Sequence, residues 1–155
     1  MKLIDMAPAH MEDLYRACCA AENIQDEVTL FDFKGIMLQR EGWSVISGDT
    51  IIGCVSYSNY APGLDIILHS FVHPAFHGKW LSRSMLRTIF EKPFLHLGLD
   101  RVTGYSISGE TDKAGRLLEH LGFTQEGVIR KGASKHGRKF DLVLYGMLRE
   151  ECRWL

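Results

Sequence analysis

The sequence has little net charge to offer a partner: 18 lysines and arginines stand against 19 aspartates and glutamates, leaving −1 over 155 residues. Because the two signs are mixed along the chain, no polyanion-binding surface is advertised and a nucleic-acid role is disfavoured. Cysteine is also scarce. Cys18 and Cys19 are adjacent, Cys54 sits in an apolar run and Cys152 lies near the end, a spacing that fits neither a zinc cluster nor a disulfide framework. They read as reduced thiols of an intracellular protein. Long apolar runs are missing: MKLIDMAPAHMEDL has no signal-peptide core, and no stretch approaches the roughly 20 apolar residues that span a bilayer. A cytoplasmic protein without membrane contact is expected. Repeats, linkers and low-complexity segments are absent too, so residues 1–155, with 46% hydrophobic content, read as one domain with a sizeable core.

What is present is a regular alternation of elements. Lys2–Met6 reads as a strand, and Pro8 opens a helix with Met11, Leu14, Tyr15 and Cys18 on one face. Between Glu22 and Glu41 a polar loop leads into a helix carrying Leu30, Phe33, Ile36, Met37 and Leu38. Glu22, Asp26, Glu27 and Asp32 mark this region either as a receiver for a cationic substrate or as a solvated acidic turn. Trp43–Ile46 and Thr50–Tyr57, separated by Ser47, Gly48 and Asp49, form a hairpin, and Ile66–Val72 is a third strand beside them. Leu81, Met85, Ile89 and Phe90 give the next helix its apolar face. Arg101–Ser108 is a strand and Glu110–Leu121 a helix ended by Gly122, while Phe123–Arg130 and Phe140–Leu148 are strands joined by a basic loop, Lys131–Lys139. The order β-α-α-β-β-β-α-β-α-β-β predicts an α/β protein with a mixed, mostly antiparallel sheet and helices on both faces.

The stretch from Ile66 to Phe90 carries the chemistry. A strand ending at Pro74, a tight polar turn around Gly78 and Lys79, and a helix start together make an anion site, because the first N–H groups of a helix have no partner within it. A pyrophosphate of a nucleotide-like cofactor fits there; a plain packing unit is the alternative. His69 interrupts the strand and, with an unperturbed pKa of about 6.5, suits proton removal. His73 at the strand end is a weaker candidate. His10, His96, His120 and His136 show no ligand spacing, so no metal is expected.

VHPAFHGKWLSRSM resembles the acyl-CoA-binding turn of the GNAT (general N-acetyltransferase) superfamily. LDRV, LLEHLGFTQEGVIRKG and GRKFDLVLYGML are similar to the branch that acetylates N-terminal alanines of ribosomal proteins, and the likeness spans roughly residues 64 to 150. The resemblance implies a GNAT-like acyl-CoA N-acyltransferase fold with a V-shaped gap between Ile66–Val72 and Arg101–Ser108. It also implies that the pantetheine arm of acetyl-CoA bonds backbone groups near Phe71 and Val72, and that the pyrophosphate rests on N–H groups of His77, Gly78, Lys79, Trp80, Leu81, Ser82 and Arg83.

Five positions depart from the family, His77 in place of a glutamine or arginine only mildly. Trp80 stands where a glycine lets backbone approach phosphate, so its indole is expected to crowd the site or push the turn outward. Where the branch has an asparagine, a serine and, in other members, an acidic tyrosine, this chain has Thr111, Ala114 and Leu118. Thr111 can bond the pantetheine, but Ala114 and Leu118 cannot donate a proton. Ser106 and Ser108, or Tyr105 on the other face, are the replacement candidates for protonating the thiolate. The implied function is acetyl transfer from acetyl-CoA to a primary amine, on a protein N-terminus or a small molecule, with a homodimer compatible. The other reading is a catalytically inactive GNAT-fold binding or structural protein, phage-associated in some relatives, that has lost the cofactor.

Overall fold

Alternating apolar residues and helical stripes build eleven elements in the computed structural model, which describes residues 1–21, 29–109 and 113–155. In chain order they are β1 (Lys2–Asp5), α1 (Met11–Ala20), α2 (Leu30–Met37), β2 (Glu41–Ser47), β3 (Thr50–Ala61) and β4 (Asp65–Val72). After them come α3 (Arg83–Glu91), β5 (Arg101–Ile107), α4 (Lys113–Leu121), β6 (Thr124–Lys135) and β7 (Arg138–Leu148). The strands form one seven-stranded sheet in the order β1-β2-β3-β4-β5-β7-β6, antiparallel at every step except β4 to β5.

Side chains alternate across a strand, so the sheet feeds two apolar layers. On one face Val55, Tyr57, Ile66, Val72, Val102 and Met147 pack with Leu86, Ile89 and Phe90 of α3 and Leu121 of α4. On the other, Cys54 and Phe71 meet Met11, Leu14 and Cys18 of α1 and Phe33 and Met37 of α2. Leu14 and Phe90 are fully buried, and each such side chain stabilises the fold by roughly 1.5–3 kcal/mol relative to exposure.

Helix α3 begins at Arg83, two residues later than the apolar stripe alone indicates, because Ser82 caps it by accepting a hydrogen bond from the Met85 N–H at 3.3 Å. Its last residues run on into a single π-type turn, Lys92–His96, entered through Pro93. The basic segment Lys131–Lys139 is not a loop. Both strands extend through it and meet at a two-residue turn, His136–Gly137, with φ of +50° and +71°, the left-handed pair that hairpin twist favours. A register irregularity between Ile129 and Ala133, with Lys131 at φ +54°, absorbs the extra length and hides the strand from a simple alternation test. The acidic segment 22–28 lies outside the described residues.

Candidate functional site

The ladder between β4 and β5 is registered at one pair, Ile67↔Thr103, whereas β3 and β4 pair from Gly53↔Val72 to Ala61↔Asp65. Beyond that pair, Leu68–Val72 and Gly104–Ile107 run on without a shared ladder and leave a gap in the sheet. A polar clasp fixes its base. Thr103 Oγ1 donates to Asp65 Oδ2 at 2.6 Å, Arg101 Nε lies 3.6 Å from the same carboxylate oxygen, and an Arg101 amino group donates to Glu126 Oε2 at 2.7 Å. Gly146 makes room for this pair, since a Cβ there would stand 2.2 Å from Glu126 Oε1.

Residues on β4 divide between the two sides of the gap. His69 and Phe71 face α1 and α2, and the Phe71 ring meets Phe33 edge-on at 6.1 Å. His69 Nε2 is hydrogen-bonded to Ser58 Oγ at 2.7 Å. Burial, helped by the positive charge of Arg40, pushes the imidazole from its ordinary 6.5 down to about 4. His69 is therefore neutral at pH 7 and a weaker base than its unperturbed value promises. Ser106 lies on the opposite face with Gly104, whose hydrogen sits against Leu118 of α4. Ser108 follows the end of β5, its N–H donating to the Asp141 carbonyl at 2.9 Å. The structure thus gathers His69, Ser58 and Phe71 on one side and keeps Ser106 on the other.

The turn after β4 is partly closed on itself. The His77 ring N–H donates to the Val72 carbonyl at 3.1 Å, and the backbone N–H groups of His77 and Lys79 donate to Pro74 and Phe76. Gly78 takes φ +74° at the tip, a conformation that suits glycine. Among the described residues, the N–H groups of Gly78, Trp80, Leu81, Ser82, Arg83 and Ser84 have no protein partner. The Trp80 side chain turns inward and is 7% exposed, against Val55, Leu68, Ile89, Leu117 and Leu121. The space left beside it is about 20 Å³, enough for roughly one water.

No family model matches the chain. A prophage-derived, uncharacterised N-acetyltransferase of Bacillus subtilis, YokL, is 34% identical over 82 residues, covering 52% of this chain and 45% of YokL. The chain therefore matches less than half the length of this curated relative. Among solved structures, a single-site variant of the spermidine N-acetyltransferase SpeG from Vibrio cholerae superposes with a TM-score of 0.78 at 18% identity, covering 100% of this chain and 98% of that one. A ribosomal-protein-alanine acetyltransferase from Vibrio fischeri gives 0.78 at 19% identity, covering 97% and 94%. The protein has the GNAT acetyltransferase fold.

Against the GNAT pattern, the Trp80 indole packs into the layer beneath α3 and α4 and leaves little space beside Leu68 and Ser70. Ala114 and Leu118 give α4 no proton donor, and Thr111 lies outside the described residues. Three features were missed from sequence: Ser58 as the partner of His69, the clasp of Asp65, Thr103, Arg101 and Glu126, and the half-buried Arg40. No helix among the described residues is long and apolar enough to cross a membrane.

Proposed function

We propose that this GNAT-fold protein is an acyl-CoA-dependent N-acyltransferase that moves an acetyl group from acetyl-CoA to a primary amine. The observation that carries the reading is the set of unpartnered N–H groups of Gly78 and of Trp80 to Ser84, at the start of α3 beside the open edge of β4. Such a set suits a diphosphate, because unpartnered donors at a helix start need an acceptor and the helix dipole favours negative charge. Acetyl-CoA, bound there, supplies the activated acyl group. Arg83 and Lys79 add cationic side chains at the same turn, both exposed.

The open edge of β4 offers backbone groups near Phe71 and Val72 to an amide-bearing arm. The Val72 carbonyl already accepts from the His77 ring N–H and keeps a second lone pair for such an arm. Positioning of this kind accounts for much of a transferase's rate, because attack by an amine on a thioester needs the two held in contact. His69, neutral and joined to Ser58, is the proposed proton acceptor, and its low pKa limits how much it contributes. Ser106 and Ser108 are the proposed donors to the thiolate, Ser106 from the opposite face of the sheet.

One observation favours a second reading, a GNAT-fold binding protein without cofactor. Ligand pockets usually offer about 300–1,000 Å³, and the space beside Trp80 is about 20 Å³. Thermal unfolding with acetyl-CoA separates the two. A site filled at about 100 times its Kd adds roughly 2.7 kcal/mol and raises Tm measurably; no shift at millimolar ligand selects the binding protein. His69→Ala is expected to lower kcat at neutral pH, and an unchanged kcat removes His69 as base.

A further inference from the structure

Between Arg130 and Asp141 the chain holds five lysines and arginines and one carboxylate, although its net charge is −1. Arg130, Lys131, Arg138 and Lys139 are exposed. The carboxylate is committed to the backbone: Asp141 Oδ1 accepts the Lys131 N–H at 2.8 Å, beside the irregularity in β6. Toward the tip the ladder sets Lys135 directly opposite Arg138. Cross-strand partners share a face with Cβ atoms about 4.5–5.5 Å apart, so two cations stand side by side, a placement that weakens a hairpin on its own. The Arg138 guanidinium is kept there over the Phe140 ring, 5.6 Å from its centre. A carboxylate brought from outside relieves the repulsion and takes a bidentate bond from the guanidinium.

The register relates this pair to the gap. β7 pairs with β5 as far as Ile107↔Leu142, and its first residues, Arg138 to Phe140, run on past the end of β5. Residues two apart share a face, so Arg138, Phe140, Leu142 and Leu144 line one side of the sheet together with Tyr105, which pairs with Leu144. It is the side of His69. Ile67↔Thr103 is the bridged pair, and His69 and Tyr105 each stand two residues beyond it on their own strands. The gap thus opens between His69 and Tyr105. The surface from there to the hairpin is apolar, with Tyr105 38% exposed and Phe140, Leu142 and Leu144 half-buried. Leu144 and Arg138 are six positions apart on an extended strand, a span of about 20 Å at about 3.3 Å per residue.

We propose that the β6–β7 hairpin docks an acidic stretch of polypeptide, and that the acceptor amine is the amino terminus of that same polypeptide, with its carboxylates about six residues from the amine. The inference rests on the acyltransfer reading and names the acceptor class of that same site. A small amine is too short to touch both His69 and Arg138, whereas an extended chain spans the distance over an apolar floor. A polyamine brings charge of the same sign as the hairpin.

The test is an NMR titration of the ¹⁵N-labelled full chain, without cofactor. One probe is an octapeptide with a free amino terminus and glutamates at its sixth to eighth positions; the other carries glutamines there. The acidic peptide is expected to bind at least about tenfold tighter and to shift the amides of Arg138 and Tyr105 together. In the double variant Lys135→Gln/Arg138→Gln the two peptides should bind within about twofold of each other. The substitutions remove a repulsion, so the hairpin keeps its fold. Equal binding by the wild type, a preference that survives the double substitution, a shift at Arg138 without one at Tyr105, no saturable shift from either peptide, or an oligouridylate bound as tightly as the acidic peptide overturns the proposal. An acidic preference with no acetyl-CoA thermal shift rejects acyl transfer alone, and a cofactor shift without the preference rejects the docking surface alone.

Discussion

His69 Nε2 lies 2.7 Å from Ser58 Oγ, a diagonal contact across the β3–β4 ladder that joins two polar side chains on the sheet face that α1 and α2 cover. The bond holds the imidazole in place while burial keeps it uncharged.

Acid should therefore unfold the protein partly through His69. Its folded pKa of about 4 is below the ordinary 6.5, so the unfolded chain binds the proton more readily between those values. Stability is fully present above about pH 6.5 and is lost as pH falls toward 4, by up to about 3 kcal/mol. Urea unfolding at about pH 7 and about pH 4.5 should show a smaller loss for His69→Gln than for the wild type. Equal losses would place the acid sensitivity elsewhere.

Trp80→Ala should lower stability by about 3–5 kcal/mol, because a 7%-exposed indole is exchanged for a void. The same change opens space beside Leu68 and Ser70. Calorimetry is expected to show acetyl-CoA binding at least about tenfold tighter to the variant. Unchanged affinity would mean that the indole does not obstruct the arm.

Ser82→Ala removes the acceptor for the Met85 N–H and should cost about 1 kcal/mol. Denaturant midpoints of the two proteins at equal slope measure it.

Gly53→Ala tests how closely β3 and β4 approach. A Cβ at Gly53 would stand 2.1 Å from the Phe71 carbonyl oxygen and 2.7 Å from Val72 Cα. Backbone cannot yield as a side chain tip does, so a loss of about 1–3 kcal/mol or more is expected by thermal unfolding, with reduced ligand response because β4 shifts.

Much of the architecture was legible because its signals are periodic. Met85, Ile89 and Phe90 mark one helix face, and the strand order follows from short turns at Gly48–Asp49 and Gly63. The β6–β7 hairpin escaped because its register breaks between Ile129 and Ala133, and its basic residues imitate a loop. At the site, the sequence pointed to the turn and to His69, but spacing does not report which way a side chain points. Trp80 was expected to crowd the site or push the turn outward, and spacing could not show that the apolar layer beneath α3 takes up its indole. The base strength of His69 was also out of reach, since it depends on burial and on Arg40, 29 positions earlier by the numbering.

With one bridge at Ile67↔Thr103, the sheet behaves as two leaves joined at a seam. Amide protons along the free margin of Leu68–Val72 should exchange with solvent deuterium faster than those zipped to β3, and a molecule seated in the seam would slow them. The unliganded protein thus carries a built-in reporter: whatever occupies the opening will announce itself in the exchange rates of that margin.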